Sequence, residues 1–164
     1  MIEVTIETIQ VSLVSPHRIV VLKEMGAERY LPIWIGACET EAISMRLQGV
    51  DPPRPMTHDL IVNLLETLDA DLEYILVSAL ANETFYGRLI LMVGDEEIEV
   101  DCRPSDAMAI AVRLGTPIFV DERVMAEAGV VPEESLLEGD EGPEDLDVFR
   151  DFLNRLDIDD IPTD

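Results

Sequence analysis

The chain has 164 residues, enough for one domain with a sizeable core, and 48% of them are apolar, which excludes a disordered polymer. Eleven Lys and Arg face thirty-five Asp and Glu, a net charge of −24 that opposes non-specific nucleic-acid binding, which rests on neutralising phosphates. Cys38 and Cys102 make neither a metal-type pair nor a disulfide framework, and no apolar run is long enough to span a bilayer, so a soluble, cytoplasmic protein is expected.

Ile2 to Val14 alternates apolar and polar residues with a change of phase near Thr8, which predicts a long strand with a bulge. Ser15-Pro16-His17 reads as a turn, Arg18 to Lys23 as a central, mostly apolar strand, and Arg29 to Ile35 as a strand in which Pro32 marks an edge or a strand end. A helix follows from Ala37 to Gln48, with Ala42, Ile43 and Met45 facing the core and Gly49 as its stop. Asp51-Pro52-Pro53-Arg54-Pro55 cannot be helical. Thr57 is expected to cap a second helix, with His58 and Asp59 in its first turn and Leu60, Ile61, Leu64, Leu65 and Leu68 as its apolar stripe.

Leu72 to Leu80, Phe85 to Val93 and Glu97 to Cys102 form a second meander, with a hairpin at Gly94-Asp95. At Arg103-Pro104-Ser105-Asp106 the alternation gives way to helical spacing. Pro104 suits the first helical position, Asp106 the positive end of the helix dipole, and Gly115 the stop. Ile118 to Val120 is a short strand, and Glu122 to Ala128 a short helix ending at Gly129. The fold class is therefore α+β, with a mixed or antiparallel sheet made from two three-strand meanders, each followed by a helix.

The predicted domain spans residues 1–132. Residues 133–164 hold thirteen acids and two arginines, which leaves a net of −13 for the remainder. They read as an acidic linker and a short amphipathic helix through Leu146, Phe149, Phe152, Leu153 and Leu156, docking on the body or on a partner subunit. The scarcity of lysine, with Lys23 alone, beside so many acids would suit a high-salt cytoplasm.

A shift of 67 residues superposes Ala42-Ile43-Ser44-Met45-Arg46-Leu47 on Ala109-Ile110-Ala111-Val112-Arg113-Leu114 and pairs Glu39 with Asp106. The echo reads either as an internal duplication or as a chance match among common core residues.

Three stretches, Leu31-Pro32-Ile33-Trp34-Ile35-Gly36, Arg54-Pro55-Met56-Thr57-His58-Asp59-Leu60 and Arg103-Pro104-Ser105-Asp106, resemble the bifunctional nuclease domain family in order and spacing. The resemblance covers roughly Ile2 to Val131. It implies an α+β domain, often dimeric, that cleaves RNA and DNA, and so nucleic acid as a partner. It brings no catalytic set with it, and the site is read from chemistry.

Phosphodiester cleavage needs an activated water, charge neutralisation at the phosphate and help for the leaving oxygen. Carboxylates holding Mg²⁺ or Mn²⁺ can supply these, with arginine as a phosphate clamp and histidine as acid or base. The candidates are His58, Asp59, Asp106 and Arg103 as catalytic residues, Arg54, Arg103 and Ser105 on the substrate, and Glu39, Glu41 and Asp106 on the metal. All stand at or near helix starts, where the dipole alone also favours acids. No Gly-rich phosphate loop, nucleophile elbow or zinc-ligand spacing is present. Two functions stand open: a metal-assisted nuclease of DNA and RNA, or a non-catalytic oligomeric module binding an anionic ligand or a protein. The resemblance favours the first, and the acidity favours the second. A homodimer is expected in either case, because the strand from Ile2 offers an edge for a partner to cover.

Overall fold

A computed structural model describes residues 1–11 and 18–131. The turn expected at Ser15-Pro16-His17, the acidic linker and the amphipathic helix through Leu146 lie outside the described residues. The elements, all within Met1–Gly129, are β1 (Ile2–Val11), β2 (Arg18–Glu24), β3 (Tyr30–Ile35), α1 (Ala37–Leu47), α2 (Thr57–Thr67), β4 (Ala70–Ala81), β5 (Thr84–Val93), β6 (Glu96–Cys102), α3 (Pro104–Leu114), β7 (Ile118–Val120) and α4 (Glu122–Ala128).

The strands form one seven-stranded sheet in the order β3-β2-β1-β7-β4-β5-β6. Each meander is antiparallel. The short β7 joins them, running antiparallel to β1 through Ile2↔Val120 and parallel to β4 through Ile75↔Ile118. This makes the sheet mixed and leaves β3 and β6 as its edges. Pro32 thus sits on an edge strand, where its missing N–H costs least. The bulge expected near Thr8 is present as a register shift between Ile6 and Thr8. In β2, Ile19, Val20, Val21 and Leu22 are all buried, so this strand is covered on both faces.

α3 is the centre of the core. Pro104 opens it, Gly115 in the left-handed conformation closes it, and every residue from Ala107 to Ala111 is buried. Small side chains alternate in it with Met108 and Ile110, both fully buried. Each such large side chain contributes about 1.5–3 kcal/mol when fully buried. The bounds of α1 and α3 differ by the same 67 residues as the sequence echo. Ala42 and Ala109, aligned by that shift, are both buried.

Two expectations about α2 are corrected. Its cap is not the Thr57 hydroxyl: the helix begins at Thr57, Met56 stands at the cap position, and the Asp59 carboxylate accepts from the Met56 N–H at 2.8 Å. Nor does the leucine stripe face inward as one. Ile61, Val62 and Leu65 pack against the core, whereas Leu60, Leu64 and Leu68 are 54%, 50% and 68% exposed. The helix is apolar on both sides, so counting apolar residues could not tell which row turns inward.

Candidate functional site

The first turns of α1, α2 and α3 each bring one titratable side chain to a single cluster. Arg103, at the cap position of α3, has the extended conformation that a residue before proline must take. Its guanidinium therefore leaves the helix and folds back over the first turn. Nε donates to Asp106 Oδ2 at 2.7 Å, and Nη2 donates to Asp106 Oδ1 at 3.0 Å and to Glu39 Oε1 on α1 at 2.6 Å. From α2, His58 Nε2 stands 3.1 Å from Asp106 Oδ1. One carboxylate thus holds a guanidinium on one side and an imidazole on the other.

Backbone geometry prepares this arrangement. The Glu39 carboxylate lies against Gly36, so a side chain at that position would make the end of Glu39 shift aside. On β5, Gly87 gives room for the entry to α3: a Cβ there would lie 2.9 Å from the Pro104 backbone nitrogen.

The cluster grades from open to closed. The side chain of Arg103 is 66% exposed, while those of Asp106 and His58 are 26% and 10% exposed. Burial works to raise the Asp106 pKa, but the hydrogen bonds from Arg103 and His58 outweigh it and hold the carboxyl below its ordinary value. Arg103 is in turn held above the usual guanidinium value by Asp106 and Glu39. An ionised Asp106 can only accept, so His58 donates from Nε2, and in the neutral ring Nδ1 is then the acceptor. A carboxylate-oriented imidazole beside a guanidinium can move a proton next to a bound anion. At Cys102, one residue before Arg103, burial, then Asp106 and Asp101, push the thiol up to about 11, away from the thiolate form.

Of the residues chosen from sequence, His58, Arg103, Asp106 and Glu39 are brought together. Asp59 is not in that set of bonds. Its two oxygens are taken by the Met56 N–H at 2.8 Å and by Arg113 Nε at 2.5 Å. Burial acts to raise its pKa, and those bonds outweigh it and keep the carboxyl below the ordinary value. Ser105 is buried in the first turn of α3, and Arg54 is exposed in the connection before α2, outside the ion pairs of the cluster. Glu41, about 200° around the helix from Glu39, is exposed.

The expected Mg²⁺ or Mn²⁺ site of Glu39, Glu41 and Asp106 is not assembled as a donor set. Among the described residues no three His, Cys, Asp or Glu side chains gather as metal ligands, and the guanidinium of Arg103 bridges Glu39 and Asp106. Nor does any buried side-chain nitrogen or oxygen among them lack a hydrogen-bond partner. The carboxylates as folded therefore fit a guanidinium rather than a divalent cation.

Sequence reasoning passed over Arg113, whose guanidinium links three helices. Its signal was available: a cation inside the apolar run of α3, at the position that the 67-residue shift pairs with Arg46.

Comparison with known proteins bears on what this cluster serves. Residues 20–133 match the family model described as the bifunctional nuclease domain. An uncharacterized protein of Mycobacterium tuberculosis is 42% identical over 161 residues, covering 96% of both chains. "Bifunctional nuclease 1" of Oryza sativa subsp. japonica is 29% identical over 136 residues, which are 77% of this chain and 41% of the rice protein. "Bifunctional nuclease 2" of Arabidopsis thaliana is 28% identical over 120 residues, 71% of this chain and 36% of that one. The family match takes in α1, α2 and α3 whole, and with them every member of the His58–Asp106–Arg103–Glu39 cluster. The chain belongs to the bifunctional nuclease domain family.

Proposed function

We propose that this chain hydrolyses phosphodiester bonds of DNA and RNA, with His58, Asp106 and Arg103 as its reactive set. The observation that carries this reading is the convergence of an imidazole, a carboxylate and a guanidinium from two helix N-termini. Arg103, the most exposed of the three, meets the substrate phosphate, which must compete with Asp106 and Glu39 for its donors. His58, oriented by Asp106, takes the proton of the attacking water. The water oxygen bonds to phosphorus, the bond from phosphorus to the leaving oxygen breaks, and the proton passes to that oxygen.

The test is cleavage of single- and double-stranded DNA and RNA with Mg²⁺ or Mn²⁺ and with chelator, at low and molar salt. High salt belongs in the test because the net charge of −24 repels the substrate until screened. Cleavage that persists in chelator and vanishes in Arg103→Ala supports the set as folded. Cleavage that needs Mg²⁺ or Mn²⁺ would mean that a cation replaces the guanidinium between the carboxylates. Absence of cleavage by the parent chain under every condition overturns the proposal in favour of a binding module.

A homodimer is part of this reading. It is supported by the edge strands β3 and β6, since β1, expected to offer the edge, lies between β2 and β7, and by the outward row Leu60, Leu64 and Leu68 on α2. Light scattering is expected to give twice the chain mass, and a monomer at high and low salt alike would sink the expectation.

A further inference from the structure

We infer that Arg113 is a positioning residue for His58, acting through Asp59; the inference rests on the proposed role of the cluster. Arg113 lies in the last turn of α3, two turns beyond Asp106, and its side chain is only 7% exposed. Rather than reaching solvent, it turns back along its own helix. Nη1 donates to the Ala109 carbonyl at 2.7 Å and to the Ala42 carbonyl of α1 at 3.1 Å, and Nε donates to Asp59 of α2 at 2.5 Å. One buried guanidinium therefore joins the three helices whose first turns supply Glu39, His58 and Asp106.

The link to α2 bears on the site most directly. Asp59 follows His58, and its second oxygen holds the Met56 N–H, so both ends of the carboxylate fix the first turn of the helix. The Ala42 and Ala109 carbonyls are spanned by α1 and α3 and keep helical partners if Arg113 is lost. Among the described residues Asp59 has only the Met56 amide besides. Its release would let the start of α2 shift, and the His58 Nε2 to Asp106 contact, at 3.1 Å, has little slack. A lysine could supply a charge at one partner but not the fork that reaches three. Arg46, the counterpart at the end of α1, has a side chain 42% exposed, and its Nη2 contributes a contact to the Arg113 carbonyl at 3.3 Å. It braces the helix ends rather than the site.

The experiment uses the full chain carrying ¹⁵N-histidine, with His17→Asn to leave the His58 ring as the one histidine signal. Ring nitrogen shifts distinguish an imidazole held in one tautomer by a carboxylate from one exchanging between two. In Arg113→Met the His58 ring signals are expected to move to the exchanging pattern. Turnover should fall at least tenfold with KM changed less than threefold, and Arg113→Lys should recover part of it. Adding Asp59→Asn to Arg113→Met should cost little more, because both substitutions cut one link. A folded Arg113→Met chain whose His58 signals match the parent's would overturn the inference, as would moved signals with turnover unchanged. If Arg113→Met does not fold, Asp59→Asn cuts the same link while its amide oxygen still accepts from Met56, and the same ring readout decides. A parent chain without cleavage removes the proposed function, and the ring readout still decides whether Arg113 holds His58.

Discussion

Asp106→Asn is expected to lower turnover on DNA and RNA by about 100-fold or more while the chain stays folded. The carboxylate carries two tasks that an amide cannot combine. It accepts from Arg103 through both oxygens and from His58 through Oδ1. Asparagine has one acceptor oxygen, and its NH₂ group must face either the guanidinium or the imidazole, donor against donor. If the oxygen stays with Arg103, His58 loses the partner that sets its tautomer. If it turns to His58, it keeps the Nη2 donor of Arg103 but sets the NH₂ group against Arg103 Nε, and the charge that holds the guanidinium is gone. The cost in stability should be about 1 kcal/mol, a small value because the side chain of Arg103 is 66% exposed and the pair is screened. His58→Gln should cost a similar factor in turnover, and the double variant little more than either, since the two act as a unit. Turnover on short substrates and urea midpoints check this. An Asp106→Asn chain keeping half the parent's activity would place the chemistry elsewhere.

How far the site could be read from sequence follows from what each residue's role depends on. The strands and α1 and α3 come from local signals: alternation, the Pro104 entry, the Gly115 stop. These act within one turn or one hairpin, so sequence spacing states them fully. The short strand at Ile118 to Val120 was legible in the same way, but its place between the two meanders, paired to β1 and β4, was not. The cluster is different in kind. His58, Arg103 and Asp106 were legible as residue types at helix starts, but their meeting depends on how α2 crosses α3, which no local pattern contains. The same crossing decides where Asp59 and the acidic side chains stand. Asp59, named among the catalytic candidates, follows His58 in the chain, yet neighbours on a helix point about 100° apart, and Asp59 faces Arg113 instead. Glu39, Glu41 and Asp106 were named as holding a cation from solvent. The chain supplies that cation itself, through the Arg103 guanidinium.

Gly87→Val is expected to damage the site from outside it, through the fold. Gly87 lies on β5 opposite Val77 of β4 and Cys102 of β6. A Cβ there would meet the Pro104 nitrogen at 2.9 Å, the Pro104 Cα at 3.1 Å and the Cys102 carbonyl oxygen at 3.1 Å. All three are backbone atoms at the entry to α3, with no flexible side-chain end to move aside. A valine at this place must therefore push the strand or lift the first turn of the helix, and overpacking of that kind costs about 1–3 kcal/mol. Lifting the turn displaces Arg103 and Asp106, whose bonds to Glu39 and His58 span different helices and cannot follow. Misplacement by about 1 Å is enough to lose on the order of 100-fold in rate. The loss of turnover should thus exceed what the fall in urea midpoint accounts for, with a folded circular dichroism spectrum retained. Gly87→Ala should show both effects in smaller measure. An active Gly87→Val chain of parental stability would mean that the space between β5 and the start of α3 is not closed. An isolated glycine in a strand otherwise rich in large apolar residues is the sequence trace of such a close approach. What it makes room for becomes visible only once α3 is laid over the sheet.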